Sequence, residues 1–274
     1  MNRLLLTIPY CTKDSTLALH LLRWMQELQP TGYKPHSVLI AADAEVPKAT
    51  RQEIFALAKP MFSHAMAVGV PVPPDQQGWI PGSNYMFLKV SETIQQNTKL
   101  PWLWCEPDCV PIRAGWLDAL ASAYDDCPTR FLGAHVLQSN QPGMPPIHLS
   151  GCAIYDAQAH EGMKAFCQGN GAFDIASANF TVPRSINSTL FQYFWGKPDL
   201  APTFKEIKSD GDPENTIPMG YLTSKAVLWH RNKDGTLIDC LRKRMSAKVA
   251  PQKPITLAPK KQSAPAQQLA SVPA

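Results

Sequence analysis

Hydrophobic positions in the first hundred residues fall into two kinds of run that take turns. The segments "RLLLTIPY" (3–10) and "HSVLIAAD" (36–43) are short and continuously apolar, the pattern of strands buried on both faces. Between them, "DSTLALHLLRWMQELQP" repeats its apolar residues every three or four positions behind Asp14 or Ser15. That spacing predicts an amphipathic helix with one of the two as N-cap. A second helix is expected around 48–58, stopping at Lys59-Pro60, followed by a short strand near "AMAVGV" and a Pro-rich loop, "VPVPPDQQGWIPG". The helix "SNYMFLKVSETIQQ" and the strand "WLWCEPD" (102–108) complete a β-α-β-α-β-loop-α-β order. This order predicts an α/β fold with a doubly wound, mostly parallel sheet. Ligands of such sheets sit beyond the carboxyl ends of the strands. The ends of the first, second and fourth strands, Pro9-Tyr10, Asp43 and Glu106-Pro107-Asp108, are therefore expected to converge.

The second half is less regular. A helix follows Gly115, then come strand-like stretches "RFLGAHV" and "IHLSGCAIYD" and a helix from about 157 to 167. The strand "KAVLWH" runs into "RNKDG", whose Asp-Gly is a turn signal. From Ser246 the composition shifts to Ala, Pro, Lys and Gln without periodicity, which predicts a domain over 1–245 and a disordered tail over 246–274. Charge follows the same division. The net charge is +4, yet seven of the 26 Lys and Arg and none of the 22 Asp and Glu lie after residue 240. The body is thus slightly acidic, with 19 cations against 22 acids, and the basic character belongs to the tail. The apolar run near the N-terminus is too short and uncharged for a secretory signal, so a cytoplasmic location without membrane contact is expected. Seven cysteines without a CxxC pair give no zinc or disulfide framework and read as reduced, packed thiols. "NST" at 187–189 matches the glycosylation pattern, by coincidence in such a location.

The chemistry gathers where "WLWC" meets "EPDC". In an extended strand, residues two apart share a face, so Glu106 and Asp108 are expected together, with Cys105 and Cys109 aimed the other way. Two carboxylates at a strand end form a site for a hard divalent ion or merely end a strand in solvent. His230, at the end of the late strand, is either a packed core residue or an imidazole for an ion held by Asp108. Carboxylate plus imidazole suits Mn²⁺, and Lys233 is placed to neutralise a phosphate.

The stretches "WLWCEPDCVPIRAGWLDAL", "HLSGCAIYD" and "AVLWHRNKDGTL" together resemble the GT-A nucleotide-sugar glycosyltransferases, and in particular the compact GT-A-like proteins of bacteriophages. The resemblance spans about residues 3–240. It implies that Glu106 and Asp108 stand for the acidic triplet that binds Mn²⁺ or Mg²⁺, with His230 completing the shell and Lys233 clamping the donor diphosphate. Glu106 departs from the strict D-x-D pattern, which leaves direct or water-mediated ligation open. Thr7, Pro9 and Tyr10 would cradle the nucleoside, with Tyr10 either stacking or packed, and Asp43 either bonding the base or closing a turn. Gly82, Asn84 and Lys89 would face the donor from the helix before the metal strand, unless they are an ordinary helix start and a solvated lysine. Gly151 would allow close approach of sugar or acceptor. An inverting reaction needs a base for the acceptor hydroxyl. In "GNGAFDIAS", Asp174 takes that role, expected in a Gly-rich loop with Asp156 in reserve; His148 lies nearby without a role.

The same resemblance makes a hydroxymethylated pyrimidine in DNA a candidate acceptor, approached through the basic tail. A base in duplex DNA must be flipped, and Trp79 or Trp195 would stack on it. Two other classes compete: a metal-dependent phosphoesterase or nuclease, which needs further carboxylates for a second ion, and a non-catalytic nucleotide- or DNA-binding module of the same fold. The sugar, the stereochemical outcome and the oligomeric state are not encoded in any motif.

Overall fold

A computed structural model describes residues 3–137, 145–167, 171–193, 203–205, 216–218 and 222–249. Twelve strands occur among these residues. They are β1 (Leu5–Tyr10), β2 (Ser37–Asp43), β3 (His64–Val70), β4 (Trp102–Trp104), β5 (Val110–Pro111), β6 (Phe131–Leu137), β7 (Ile147–Tyr155), β8 (Ser185–Asn187), β9 (Phe191–Tyr193), β10 (Thr203–Lys205), β11 (Thr216–Pro218) and β12 (Leu228–His230). The α-helices are α1 (Ser15–Leu28), α2 (Lys48–Ala58), α3 (Pro81–Asn97), α4 (Trp116–Asp125), α5 (Ala159–Met163), α6 (Phe173–Ala176), α7 (Ala178–Thr181) and α8 (Thr236–Val249).

Seven strands form one sheet in the order β3-β2-β1-β4-β7-β6-β8. β1 pairs in parallel with β2 and β4, and β7 runs antiparallel to both β4 and β6. The continuous apolar runs are explained by helices on both faces. Leu4, Leu6 and Ile8 pack with α1, α2, α4 and α8 in one core. Leu5, Leu39, Trp102 and Trp104 pack with α3, α5 and Phe173 in the other. A second sheet, β5-β12-β9, stands beside the carboxyl end of β4 and carries His230.

The departures from the sequence reading have physical causes. The strand expected over 102–108 ends at Trp104. One further ladder bond, from Cys105 N–H to Thr7 O at 2.9 Å, precedes a turn closed by Cys109 N–H donating to Glu106 O at 2.9 Å. Pro107 has its φ fixed and lacks an N–H, which suits the second position of such a turn as well as an extended chain. α3 starts two residues early, at Pro81, where a missing N–H costs nothing. The helix expected over 157–167 is only Ala159–Met163, and the late strand is only Leu228–His230. α8 continues to Val249, three residues beyond the change in composition at Ser246; residues 250–274 and Trp195 lie outside the described residues. Among the described residues no helix is long and apolar enough to cross a membrane.

Candidate active site

The turn after β4 and the end of β12 meet. His230 Nε2 lies 3.2 Å from Glu106 Oε2 and 3.4 Å from Asp108 Oδ1, and its Nδ1 is 3.5 Å from Ser150 Oγ on β7. The loop that returns from His230 is fastened to the turn. Asn232 N–H donates to Asp108 O at 2.8 Å, while Asn232 Oδ1 accepts from Leu237 N–H at the start of α8. Arg231, between them, takes a φ of 82°, a left-handed conformation a non-glycine residue adopts only when its surroundings hold it. Trp104 Nε1–H points at Glu106 Oε1 from 3.3 Å.

Burial alone would raise the Asp108 carboxyl, but the charges of His230 and Lys233 hold it below the usual range. For His230 burial acts downward and is outweighed by Asp108 and Glu106, which lift the imidazole well above its ordinary value. The three groups thus form a compact ionic cluster. Asp108 Oδ1 is buried and has no hydrogen-bond partner among the described residues. A buried carboxylate oxygen whose ion-pair partner is the His230 imidazole, a second carboxylate and that imidazole make a donor set that fits a divalent ion of the Mn²⁺ or Mg²⁺ type.

A second wall faces this cluster across β7. A Cβ added to Gly151 would sit 3.6 Å from Glu106 Oε1, 3.7 Å from Asp174 Oδ2 and 3.0 Å from Phe173 Cζ. Gly151 is therefore the gap through which the two carboxylates look at each other. Phe173 fixes α6 by stacking on Phe87 of α3, with centroids 4.1 Å apart, and Asp174 follows it in the first turn. Burial and the Glu106 charge push the Asp174 carboxyl up to about 6. Its Oδ1 accepts from Ile175 N–H at 2.9 Å, and its Oδ2 lies 3.7 Å from His148 Nε2. His148 is buried and held neutral, with its pKa lowered to about 4 by that burial; its Nδ1 has no partner among the described residues.

Of the residues singled out in the sequence, Glu106, Asp108, His230, Gly151 and Asp174 come together, with the Lys233 charge reaching Asp108. Thr7 and Pro9 are buried in β1, paired in register with Leu39 and Ala41, and Thr7 Oγ1 has no hydrogen-bond partner among the described residues. Others are placed differently. Tyr10 does not offer its ring for stacking: strand alternation turns it with Leu6 and Ile8 into the α1–α2 core, where burial pushes its hydroxyl up to about 12. Lys89 lies on the outer side of α3 and pairs with Glu92 at 3.0 Å, because two residues on from the inward Phe87 is the opposite helix face. Gly82 abuts the preceding loop, where an added Cβ would meet Gln76 O at 3.2 Å. Asn84 is buried and donates from Nδ2 to Gly171 O at 2.8 Å, so it braces the segment leading to Asp174. Asp43 closes a turn by accepting from Glu45 N–H. Asp156 is claimed by Arg130, which reaches both carboxylate oxygens. Asp174 stands on a short helix rather than in a loop.

Cys105 and Cys109 are packed in the core as expected, but the direction of Cys109 differs. Because 106–109 is a turn, strand alternation stops there, and Cys109 is not aimed away. Ligand atoms of Asp108, Cys109 and His230 all lie within 4.8 Å of one another. Ser150 and Asn232 carried no signal in the sequence, since nothing local tells which serine or asparagine a distant turn will meet. His148 is two residues from Ser150 on the same strand, and the packing of α6 on β7 makes it a neighbour of Asp174.

No protein-family profile and no curated protein matches the chain. Solved structures do. The galactosyltransferase LgtC, in complex with donor and acceptor sugar analogs, superposes with a TM-score of 0.51 at 9% identity, over 89% of this chain and 96% of that one. The bifunctional glycosyltransferase WbbM, in its apo form, gives 0.50 at 10% identity over 84% of this chain. The chain has the GT-A fold. It spans 45% of the WbbM chain, so the likeness there concerns one part of a larger protein. The Glu106–Asp108 turn lies just beyond the end of β4, the sheet strand next to β1.

Proposed function

We propose that this protein is a metal-dependent glycosyltransferase that moves a sugar from a nucleoside-diphosphate donor to a hydroxyl acceptor. The observation that carries the reading is the meeting of Glu106, Asp108 and His230 at the carboxyl end of β4, with a half-buried, high-pKa Asp174 facing them across Gly151. The GT-A fold of LgtC, solved with donor and acceptor sugar analogs, supports it.

Asp108, Glu106 and His230 would hold Mn²⁺ or Mg²⁺. Bound there, such an ion would supply positive charge for the leaving diphosphate. Lys233, exposed beside Asp108, adds a second cation where that negative charge accumulates. On the far side of Gly151, Asp174 accepts the proton of the acceptor hydroxyl, the role an inverting reaction requires. A carboxylate with a pKa near 6 is a better proton acceptor than an exposed one and is still largely ionised at neutral pH. His148, neutral and beside Oδ2, leaves Asp174 its negative charge and limits the orientations its carboxylate adopts.

Incubation with Mn²⁺ and a panel of nucleotide sugars should release a nucleoside diphosphate, and Asp108→Ala should abolish that release. No release from any donor would overturn the reading; release of inorganic phosphate alone would favour a phosphoesterase. For the acceptor, the resemblance to phage proteins and the basic stretch after residue 240 favour hydroxymethylated DNA. Mass spectrometry of nucleosides from DNA treated with protein and donor should show a hexose- or pentose-sized increase on a pyrimidine. Sugar transfer to an oligosaccharide acceptor but not to DNA would exclude it.

A further inference from the structure

We infer that the floor of the carboxylate site is a thiophilic metal position, in which Asp108, Cys109 and His230 bind a soft divalent ion such as Zn²⁺ or Cd²⁺ with Cys152 as neighbour, to the exclusion of a hard ion. Three observations place it. The first is proximity: ligand atoms of Asp108, Cys109 and His230 lie within 4.8 Å of one another. A tetrahedral zinc with bonds of about 2.0–2.3 Å separates its ligand atoms by about 3.3–3.8 Å, so small side-chain shifts close the set. The second is the paired thiol, since Cys109 Sγ lies 3.3 Å from Cys152 Sγ. The third is Asp108 itself, 6% exposed, whose Oδ1 makes no well-aligned hydrogen bond among the described residues and is held by the ion pair with His230 at 3.4 Å.

The strand pattern explains why a thiol and an imidazole meet here. Ser150 and Cys152 share one face of β7, and that face touches His230 through Ser150 and Cys109 through Cys152. Gly151 turns to the other face, toward Asp174. The cluster therefore has two sides. Carboxylates and open solvent lie toward Glu106, whereas Cys109 and Cys152, 0% and 2% exposed, lie beneath. Oxygen donors favour Mn²⁺ or Mg²⁺, and thiolate donors favour Zn²⁺ or Cd²⁺. Asp108 and His230 are common to both sets, so one ion excludes the other. On binding, the Cys109 thiol gives its proton to solvent as the metal–sulfur bond forms. The hard-ion half of this competition rests on the function proposed above; the thiolate half does not.

The test uses the full chain, reduced and stripped of metal with a chelator. Titration with Cd²⁺ should develop the ultraviolet charge-transfer absorbance of a thiolate–cadmium bond, saturating at one equivalent for this position. Cys109→Ser should weaken that binding roughly tenfold or more, and Cys109→Ala, a change that adds no buried hydroxyl, should do the same. A folded parent chain without the band overturns the inference, as does a band of undiminished affinity in both variants. In a parallel experiment, Cd²⁺ added to the Mn²⁺-loaded chain should restore the free Mn²⁺ paramagnetic resonance signal. Retention of bound Mn²⁺ at saturating Cd²⁺ would overturn the exclusion. Absence of any Mn²⁺ binding, with the cadmium band intact, would instead count against the proposed function and leave the thiophilic site standing.

Discussion

Asp174 and Asp108 carry opposite pKa shifts, and the cause of the raised one fixes what should be measured. Burial and the Glu106 charge bring Asp174 to about 6. The form that accepts a proton is the ionised one, so kcat should fall as pH drops through about 6 and level off above it. Asp174→Asn removes the acceptor and should lower kcat by about 10²–10⁴-fold, abolishing that acidic limb. A limb that persists in the variant would assign it to another group. The contrast with Asp108 is electrostatic: it is at least as buried, yet His230 and Lys233 hold its pKa down, so it stays charged and is suited to binding an ion rather than a proton. Little of this distinction is visible in the sequence. Both acids were identifiable as candidates, but their opposite shifts depend on which neighbours the fold supplies.

The elements that aim Asp174 are β7 and α6, and they meet at Gly151 and Phe173. A Cβ at 151 would stand 3.0 Å from Phe173 Cζ and under 4 Å from both carboxylates, in a strand where alanine is otherwise acceptable. Gly151→Ala should therefore leave the fold intact by circular dichroism and reduce kcat by about tenfold or more, through misplacement of the two acids. An unchanged kcat would show that the gap is not used. Phe173→Ala removes a ring stacked on Phe87 and edge-on to Trp104 and should cost about 3–5 kcal/mol in denaturant unfolding. At this scale much was legible. The first three strands and the three helices before β4 are long enough for their hydrophobic pattern to show, and their order with the apolar run at β4 implied the sheet. What was not legible is instructive. Glu-Pro-Asp-Cys is compatible with an extended strand and with a turn, because Pro107 fits either, and only the ladder running out at Cys105 decides between them. The burial of Tyr10 was implicit in the same alternation that buries Leu6 and Ile8, but a strand end invites the expectation of exposure. α6 is only Phe173–Ala176, too short for periodicity to reveal.

Across the whole molecule, histidines report on folding and metal binding with opposite signs. His36 is fully buried between β1 and α4; its Nδ1 accepts from Leu4 N–H at 3.1 Å, so Nε2–H donates to Asp118 at 3.0 Å. Burial lowers its pKa, with Asp118 opposing. The unfolded chain thus binds a proton before the folded one does, and stability present above pH 6.5 is lost as pH falls below it, by at most about 1.4 kcal/mol per pH unit. His36→Gln should flatten that slope in denaturant unfolding; an unaltered slope would assign it elsewhere. His230 behaves inversely. Its folded pKa lies well above 6.5, so in the metal-free chain its ion pairs stabilise fully below that pH and are lost as pH rises through the folded value. A divalent ion needs the neutral imidazole, so ion and proton compete for one position. At a fixed Mn²⁺ concentration the rise in Tm should be larger at pH 8 than at pH 6, because fewer protons oppose binding and the stabilisation grows with occupancy. Asp108→Asn should remove the rise at both pH values. An equal rise at the two pH values would mean that His230 does not ligate the ion, and the metal would then have to rest on Glu106 and Asp108 alone.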